Sequence, residues 1–514
     1  MTSSSSNTTR IAKNTLLLYF RMLLTMGVTL YTSRVILNAL GVEDYGIYNV
    51  VGGVVAMFGI LSGSLSAAIS RFITFELGKG DIDKLKRIFC TSVNIQIILI
   101  AIITILMETI GIWFLNNKMV IPEERLAAAN WVFQFSVITF ALNLLSVPYN
   151  AVIIAHEKMS AFAYISIADC TLKLIVAFII AYNPFDKLIY YGLLIMIVGL
   201  INRMMYAIYS KRHFEEATYR MIFDKGLMKE MFGFAGWITI GTSSAILRDQ
   251  GGNILINLFF GPSVNAARGV AMQVNTAISS FVTSFTTAVD PQITKSYAAG
   301  EQDYMMKLVF QSTKFSFFIL LFIALPVLIT TPYILGVWLV DVPAYSVNFV
   351  RLILLFTLSE GLAHFLIKSI QATGNVRNYQ LIVGGLQMMN LPICYICLRL
   401  GTPPETIFVV AILVSIICEF CRFIILKKMI GLSIKAFLKD VYLKSIIVGV
   451  LAAIIPILIK YNMSEDFVSF IIIICVSVIC VMVSAYCIGC TCNEKRIIKN
   501  QIARIKQRIS KTQL

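Results

Sequence analysis

The chain has 514 residues, of which 58% are hydrophobic and only 14% charged, and 43 Lys and Arg against 27 Asp and Glu leave a net charge of +16. So little polar surface cannot cover a water-soluble body of this size, which excludes a soluble enzyme and leaves a chain solvated by lipid. Nearly unbroken apolar blocks such as Asn94 to Leu106 and Phe467 to Val483 also exclude a transmembrane barrel, whose strands would show ~10-residue alternation.

The N-terminus runs in polar residues from Met1 to Thr9, then carries Arg10 and Lys13. No small-residue cleavage site follows a short apolar core, so the first apolar run reads as an uncleaved helix. About fourteen crossings follow from the length that a ~30 Å hydrocarbon core demands. The first six run roughly over Thr15 to Ile36, Ile47 to Ile69, Phe89 to Leu115, Trp131 to Ala155, Ala161 to Ala181 and Leu188 to Tyr209. The next six cover Met231 to Phe260, Val264 to Ala288, Phe315 to Leu339, Phe349 to Ile370, Leu381 to Leu400 and Ile407 to Leu426. Two more lie near Val441 to Ile459 and Phe467 to Ile488.

The basic residues fall in alternate loops, around Lys79 to Arg87, Lys211 to Lys229, Lys295 to Lys307 and Lys427 to Lys439. This asymmetry predicts that both termini are cytoplasmic and removes any need for a nucleic-acid partner. A tail with Lys495, Arg496, Lys499, Arg504, Lys506, Arg508 and Lys511 is expected to lie on the anionic leaflet.

Sliding the sequence on itself reveals a repeat of about 220 residues. Val35 to Gly41 lies over Leu255 to Gly261, and Leu77-Gly78-Lys79-Gly80-Asp81 over Ala299-Gly300-Glu301-Gln302-Asp303. Six spans separate the copies, so both enter the membrane in the same orientation. The expected fold is an all-α polytopic membrane protein with two parallel six-helix lobes around a central cavity and two additional C-terminal helices. The expected boundaries are an N-lobe over 1–210, a linker over 211–230, a C-lobe over 231–428, two extra spans over 429–490 and a basic tail over 491–514.

An ionised group at mid-bilayer costs about 2.5–3.5 kcal/mol on the insertion scale, so each one needs a reason. In span one Arg21, Thr25, Thr29 and Thr32 share a face, and in span eight so do Arg268, Asn275, Ser279, Thr283, Thr286 and Asp290. Polar stripes of this kind suit the wall of a water-filled cavity; alternatively, the hydroxyls bond to their own helix and the arginines snorkel. Asp249 shares a face of span seven with Thr242, Asn253 and Asn257, which suits a cation, while Arg248 points largely away and is expected to pair within its own lobe. Asp169 and Lys173, four apart in span five, read as an intrahelical pair. Glu360, His364, Lys368 and Gln371 form a stripe in span ten, with Glu360 and His364 candidates for proton coupling; alternatively the stripe is a contact between lobes. The candidate substrate contacts are Arg21, Thr25, Arg248, Arg268, Asn275 and Arg351, because an excess of arginine forks suits an anionic headgroup.

Most of the eleven cysteines sit inside spans as small apolar residues. Cys394/Cys397 and Cys418/Cys421 have CxxC spacing, but no histidine near them supports a metal site. No resident cofactor is expected, although H⁺ or Na⁺ coupling fits the charges at membrane depth.

The segment Leu40-Gly41-Val42-Glu43-Asp44-Tyr45-Gly46-Ile47-Tyr48-Asn49 resembles a turn of polysaccharide-type flippases in the multidrug/oligosaccharidyl-lipid/polysaccharide exporter superfamily. Phe75 to Asp81, Ala155-His156-Glu157-Lys158-Met159 and Gln250-Gly251-Gly252-Asn253 are similar to its inner loops and its span seven. The resemblance implies a secondary transporter that moves undecaprenyl-diphosphate-linked oligosaccharide from the cytoplasmic to the outer leaflet of a bacterial inner membrane by alternating access. It also implies membrane lipid, a polysaccharide polymerase and glycosyltransferases as partners. The multidrug branch shares the fold, so a cation antiporter is the alternative. A membrane glycosyltransferase or polymerase would need acidic sugar-nucleotide motifs or a long outer loop, and neither occurs. No G-x-x-x-x-G-K-[ST] is present, so this chain supplies no nucleotide-driven step of its own.

Overall fold

Apolar runs of membrane-crossing length can satisfy their backbone only internally, and helix is the result. The computed structural model describes residues 2–56, 59–117, 119, 121–182, 186–339, 341–463, 466–492, 494–496 and 499, among which every regular element is helical. In chain order these are α1 (Thr2–Ala56), α2 (Gly59–Lys79), α3 (Ile82–Asn117), α4 (Glu123–Ala155), α5 (Met159–Ala181), α6 (Lys187–His213) and α7 (Lys225–Ala298). Then follow α8 (Gln302–Trp338), α9 (Ser346–Thr373), α10 (Arg377–Arg399), α11 (Thr406–Ile430), α12 (Ile434–Asn462) and α13 (Phe467–Gly489).

Eleven described helical segments are long and apolar enough to cross a membrane. The other three expected crossings are the second, which runs over residues 57–58 outside the described set, and the two arms of α7, which carry the polar residues of spans seven and eight. The expected tail residues Arg504, Lys506, Arg508 and Lys511 also lie outside the described residues.

The repeat is written in the backbone. Gly41 has φ 81° and ψ 167°, and Gly261 has φ 80° and ψ −178°, a region open essentially to glycine alone. Each breaks a long helix at the same place in its half. The next turn corrects the register read from sequence, which set Gly78 against Gly300. Gly80 (φ 81°) and Gly300 (φ 78°) are the left-handed pair, whereas Gly78 is helical and packs so closely that a Cβ there would lie 2.8 Å from the Lys295 carbonyl. Beyond α4 and α9 the corresponding turns hold Glu157 (φ 58°) and Gly374 (φ 81°).

The chain forms two compact units. The first contains Met1–Ser243, Ser284–Met305 and Gln371–Leu381; the second contains Ser244–Thr283, Met306–Ile370 and Ile382–Leu514. In the first, α1 packs on α5 and α4 on α6, and Ile36, Leu40, Val176, Ala177, Ile180, Tyr191 and Val198 form a core. The segment after α6 is not a free linker: Tyr219 donates to Asn94 at 2.7 Å, and the Asn94 amide donates to the Ile222 carbonyl at 2.7 Å, strapping it to α3. In the second unit α12 packs on α13, and Lys314 of α8 meets Glu494 at 3.0 Å with both side chains only 4% exposed.

Candidate translocation site

In the first unit Arg21 and Arg203, at membrane depth, rest on uncharged partners. Arg21 donates to Ser166 at 3.3 Å and lies 4.6 Å from the centre of the Phe162 ring. Thr25, one turn along, donates to its own helix at the Met22 carbonyl. Arg203 sits 4.2 Å over Tyr149. Arg21 Nε and Arg203 Nε and Nη1 are buried without a hydrogen-bond acceptor, a state that costs about 1–3 kcal/mol per group unless something fills it. Asp169 and Lys173 pair within α5 at 2.7 Å, as their spacing predicts.

In the second unit Gly251-Gly252-Asn253 forms a cradle. A Cβ at Gly252 would lie 2.9 Å from Arg268 Nη2, so only glycine leaves room for the guanidinium. Arg268 donates to the Asn253 side chain at 3.3 Å and to the Asp249 carbonyl at 3.0 Å, and is 2% exposed. It therefore binds the two arms of α7 to each other. Arg248 does not stay away from Asp249, as helical spacing alone suggests. Its flexible side chain returns to the adjacent carboxylate at 2.9 Å while its guanidinium lies 4.7 Å over Phe356. Asn275 accepts from Thr357 of α9. Arg351 has a different neighbourhood from the other candidates. Proline at 332 takes away the N–H that would meet the Leu328 carbonyl, and Arg351 Nε replaces it at 3.3 Å. Lys460 donates to Ile329 at 2.7 Å, and both cations border an apolar groove of about 630 Å³ between α8, α9 and α12. Glu360 accepts from Ser415 of α11, and His364 stands edge-on to Phe365 at 5.1 Å.

Three constellations were not foreseen from sequence. Glu157, with a side chain 1% exposed, receives Arg10 at 2.9 Å, Lys295 at 2.9 Å and the Gln292 amide at 2.7 Å. Next to it His156 Nε2 meets Glu216 at 2.5 Å and stacks on Phe214. Burial pushes the Glu216 carboxyl upward, but the His156 ring, the backbone amide of Glu216 and Lys86 more than offset this and hold it below the ordinary value. Secondly, Arg71 of α2 donates to the Ala372 carbonyl at 3.1 Å, with its guanidinium 4.4 Å from the Phe75 ring and against Gly374. Thirdly, Glu419 and Arg422 pair within α11 at 2.7 Å; opposite charges three apart inside an apolar span were the available signal.

Of the CxxC cysteines, Cys394 is buried and donates to Asn390 at 3.3 Å, and Cys418 points to the Val383 carbonyl. Among the described residues no group of three or more His, Cys, Asp or Glu is placed to hold a metal ion.

A family model described as polysaccharide biosynthesis protein matches residues 11–297, and a second, MatE, matches 252–396. An uncharacterized membrane protein, EpsK, of Bacillus subtilis (strain 168) is 20% identical over 289 residues, 55% of this chain and 56% of that protein. The chain thus aligns with about half the length of that relative. Among solved structures, a MATE in the bent conformation superposes with TM-score 0.71 at 13% identity, over 82% of this chain and 96% of that one. A superfamily transporter from Pyrococcus furiosus, described as having a binding pocket of reversed polarity, gives TM-score 0.69 at 14% identity over 83% and 96%. At these identities the likeness establishes the fold, that of a multi-pass membrane transporter.

Proposed function

Since the chain belongs to the polysaccharide biosynthesis protein family, whose members are transporters rather than enzymes, we propose that it flips lipid-linked (undecaprenyl-diphosphate) oligosaccharide from the cytoplasmic to the outer leaflet of the bacterial inner membrane by alternating access, with both termini cytoplasmic. The observation that carries this reading is the set of membrane-depth guanidinium groups held by hydroxyl, carbonyl, amide or aromatic partners instead of carboxylates: Arg21, Arg203, Arg268 and Arg351. Their positive charge is left for an anionic headgroup, and the unmatched N–H groups of Arg21 and Arg203 suit its phosphate and hydroxyl oxygens. In this reading Arg21 and Thr25 of the first unit, and Arg248, Asn275 and Arg351 of the second, are headgroup contacts, while Arg268 supports Gly252 from behind.

The solved relatives described as multidrug transporters favour a second reading, a cation antiporter of the same fold. Cationic drugs are better met by carboxylates and aromatic faces, and Asp249, one of the carboxylates available for that role, is engaged by Arg248. The test is reconstitution in liposomes, following transbilayer movement of a fluorescent undecaprenyl-diphosphate oligosaccharide beside efflux of a cationic drug. Arg21→Ala and Arg203→Ala should each slow the lipid by on the order of tenfold or more, the equivalent of one charge-assisted hydrogen bond. Drug efflux without sugar-lipid movement would overturn the proposal.

A further inference from the structure

The segment between α6 and α7, residues 214–224, is fastened to α3 in a fixed register, and both lie within the first unit. Glu215 meets Lys86 at 2.6 Å, the Cys90 thiol donates to the Thr218 carbonyl at 3.8 Å, and the Arg220 backbone amide donates to the same sulfur at 3.3 Å. Asn94 then accepts from the Tyr219 hydroxyl and donates to the Ile222 carbonyl, both at 2.7 Å. The helix rises roughly 12 Å from Lys86 to Asn94. The segment therefore descends by that distance, from the polar first turns of α3 to the start of its apolar run.

This register sorts the side chains by depth. At the shallow end a cleft of about 570 Å³ opens between α3 and the segment, lined by Lys86, Arg87 and Arg220 against Asp83 and Glu215. Those five charges sum to a single positive one. At the deep end Met221 and Phe223 are 77% and 58% exposed. Their backbone is not loose: Ile222 between them is tied to Asn94, and Asp224 beside them caps α7 by accepting from the Leu227 amide at 3.0 Å. Large apolar side chains held outward by a fastened backbone call for an apolar partner.

Cations towards the water and apolar side chains towards the bilayer match the boundary between lipid headgroups and acyl chains. We propose that this cleft binds one anionic glycerophospholipid of the leaflet it faces, which is the cytoplasmic leaflet in the orientation proposed above. The phosphodiester sits between Arg87 and Arg220, whose forks suit its oxygens, and the acyl chains pass Met221 and Phe223. The charge count selects this class of lipid. A phosphodiester monoanion neutralises the cleft, whereas a zwitterionic lipid brings an ammonium beside the arginines and a diphosphate brings more negative charge than the cleft balances. Free phosphate uses the arginines but leaves Met221 and Phe223 without a partner. The site is separate from the headgroup contacts proposed for transport and holds whichever lipid the chain carries.

The test uses the purified full-length protein in nanodiscs of equal parts phosphatidylglycerol and phosphatidylcholine, with Met221 replaced by a photoreactive benzophenone amino acid. Irradiation and mass spectrometry then identify what lies against that position. Lipid should be captured, phosphatidylglycerol in preference to phosphatidylcholine. Arg87→Gln and Arg220→Gln, both at exposed positions, should each cut that preference by about fivefold, the worth of one cation beside an anionic leaflet, and leave phosphatidylcholine capture in place. Lys427→Gln, an exposed cation of the second unit, should leave the preference unchanged. Capture of no lipid, equal capture of the two lipids by the parent, or a preference that survives both arginine substitutions would each overturn the proposal. So would displacement of the lipid by inorganic phosphate at constant ionic strength, the mark of a free-anion site. Preferred capture of an undecaprenyl-diphosphate oligosaccharide over phosphatidylglycerol would also overturn it, as the mark of a loading site for cargo. None of these readouts involves transbilayer movement, so failure here is distinct from failure of the flippase reading.

Discussion

Replacing Glu157 by glutamine removes the charge at the centre of the cluster that ties α1, the turn after α4 and the end of α7. The carboxylate is 1% exposed, the Lys295 side chain 23% and the Arg10 side chain 49%. Arg10 is half in water, so its pair contributes only about 0–1 kcal/mol. Lys295 and the Gln292 amide are much less solvated, and losing the charge leaves them facing a weaker acceptor. A fully buried pair broken from one side costs about 3–5 kcal/mol; allowing for the partial exposure of Lys295, Glu157→Gln should destabilise the protein by about 2–4 kcal/mol. The assay is equilibrium unfolding by SDS in mixed micelles, with Glu157→Gln, Lys295→Met and the double variant forming a cycle. A coupling energy of about 1–3 kcal/mol is expected, whereas Arg10→Gln should cost no more than about 1 kcal/mol. If the two changes simply add, within about 0.5 kcal/mol, the cluster is not an energetic unit and the reasoning is refuted.

Alanine at Gly41 or Gly261 should cost about 1–3 kcal/mol at each site. No atom lies within 4 Å of the added Cβ at either position, so the penalty is one of backbone conformation; thermal unfolding should find the two losses similar, and a neutral substitution would contradict the left-handed assignment. The carboxyl of Glu216 is held below its ordinary value of 4.5, so its folded state releases the proton more readily than its unfolded state. Its stabilisation is therefore complete above about pH 4.5 and is lost as pH falls through the lower folded value; Glu216→Gln should flatten that acid limb in unfolding midpoints measured against pH. Lys314→Met leaves Glu494 buried and uncompensated, at a cost of about 3–5 kcal/mol. Limited proteolysis should then cut at Lys495 or Arg496, and Lys314→Met/Glu494→Leu should restore protection.

Much of the fold was legible because lipid permits so few solutions. The apolar runs gave the helices, and Gly41 over Gly261 gave the duplication, since a conformation reserved for glycine leaves its mark in sequence. The neighbouring register slipped by two residues because Gly78 and Gly80 look alike as letters, and only the backbone shows which one turns left-handed. Of the site, stripes on single helices were readable, but their partners were not. Glu157 and Lys295 are joined across 138 residues, and no local periodicity announces such a pair. Arg248 was misdirected because helical spacing fixes where a Cα lies and not where a long side chain ends. The Arg351 contact depends on the carbonyl released at Pro332, which becomes visible only once α9 is placed beside α8.

The two turns that follow α4 and α9 show how a duplicated design drifts apart. One half fastens its turn through the carboxylate of Glu157, the other through the Ala372 carbonyl gripped by Arg71. A carboxylate offers two oxygens and here collects Arg10, Lys295 and Gln292, whereas the peptide oxygen of Ala372 is held by Arg71. The two clasps, one plan copied twice, therefore differ in reach: the first gathers α1 and the end of α7 onto one side chain, whereas the second joins α2 to a single backbone atom.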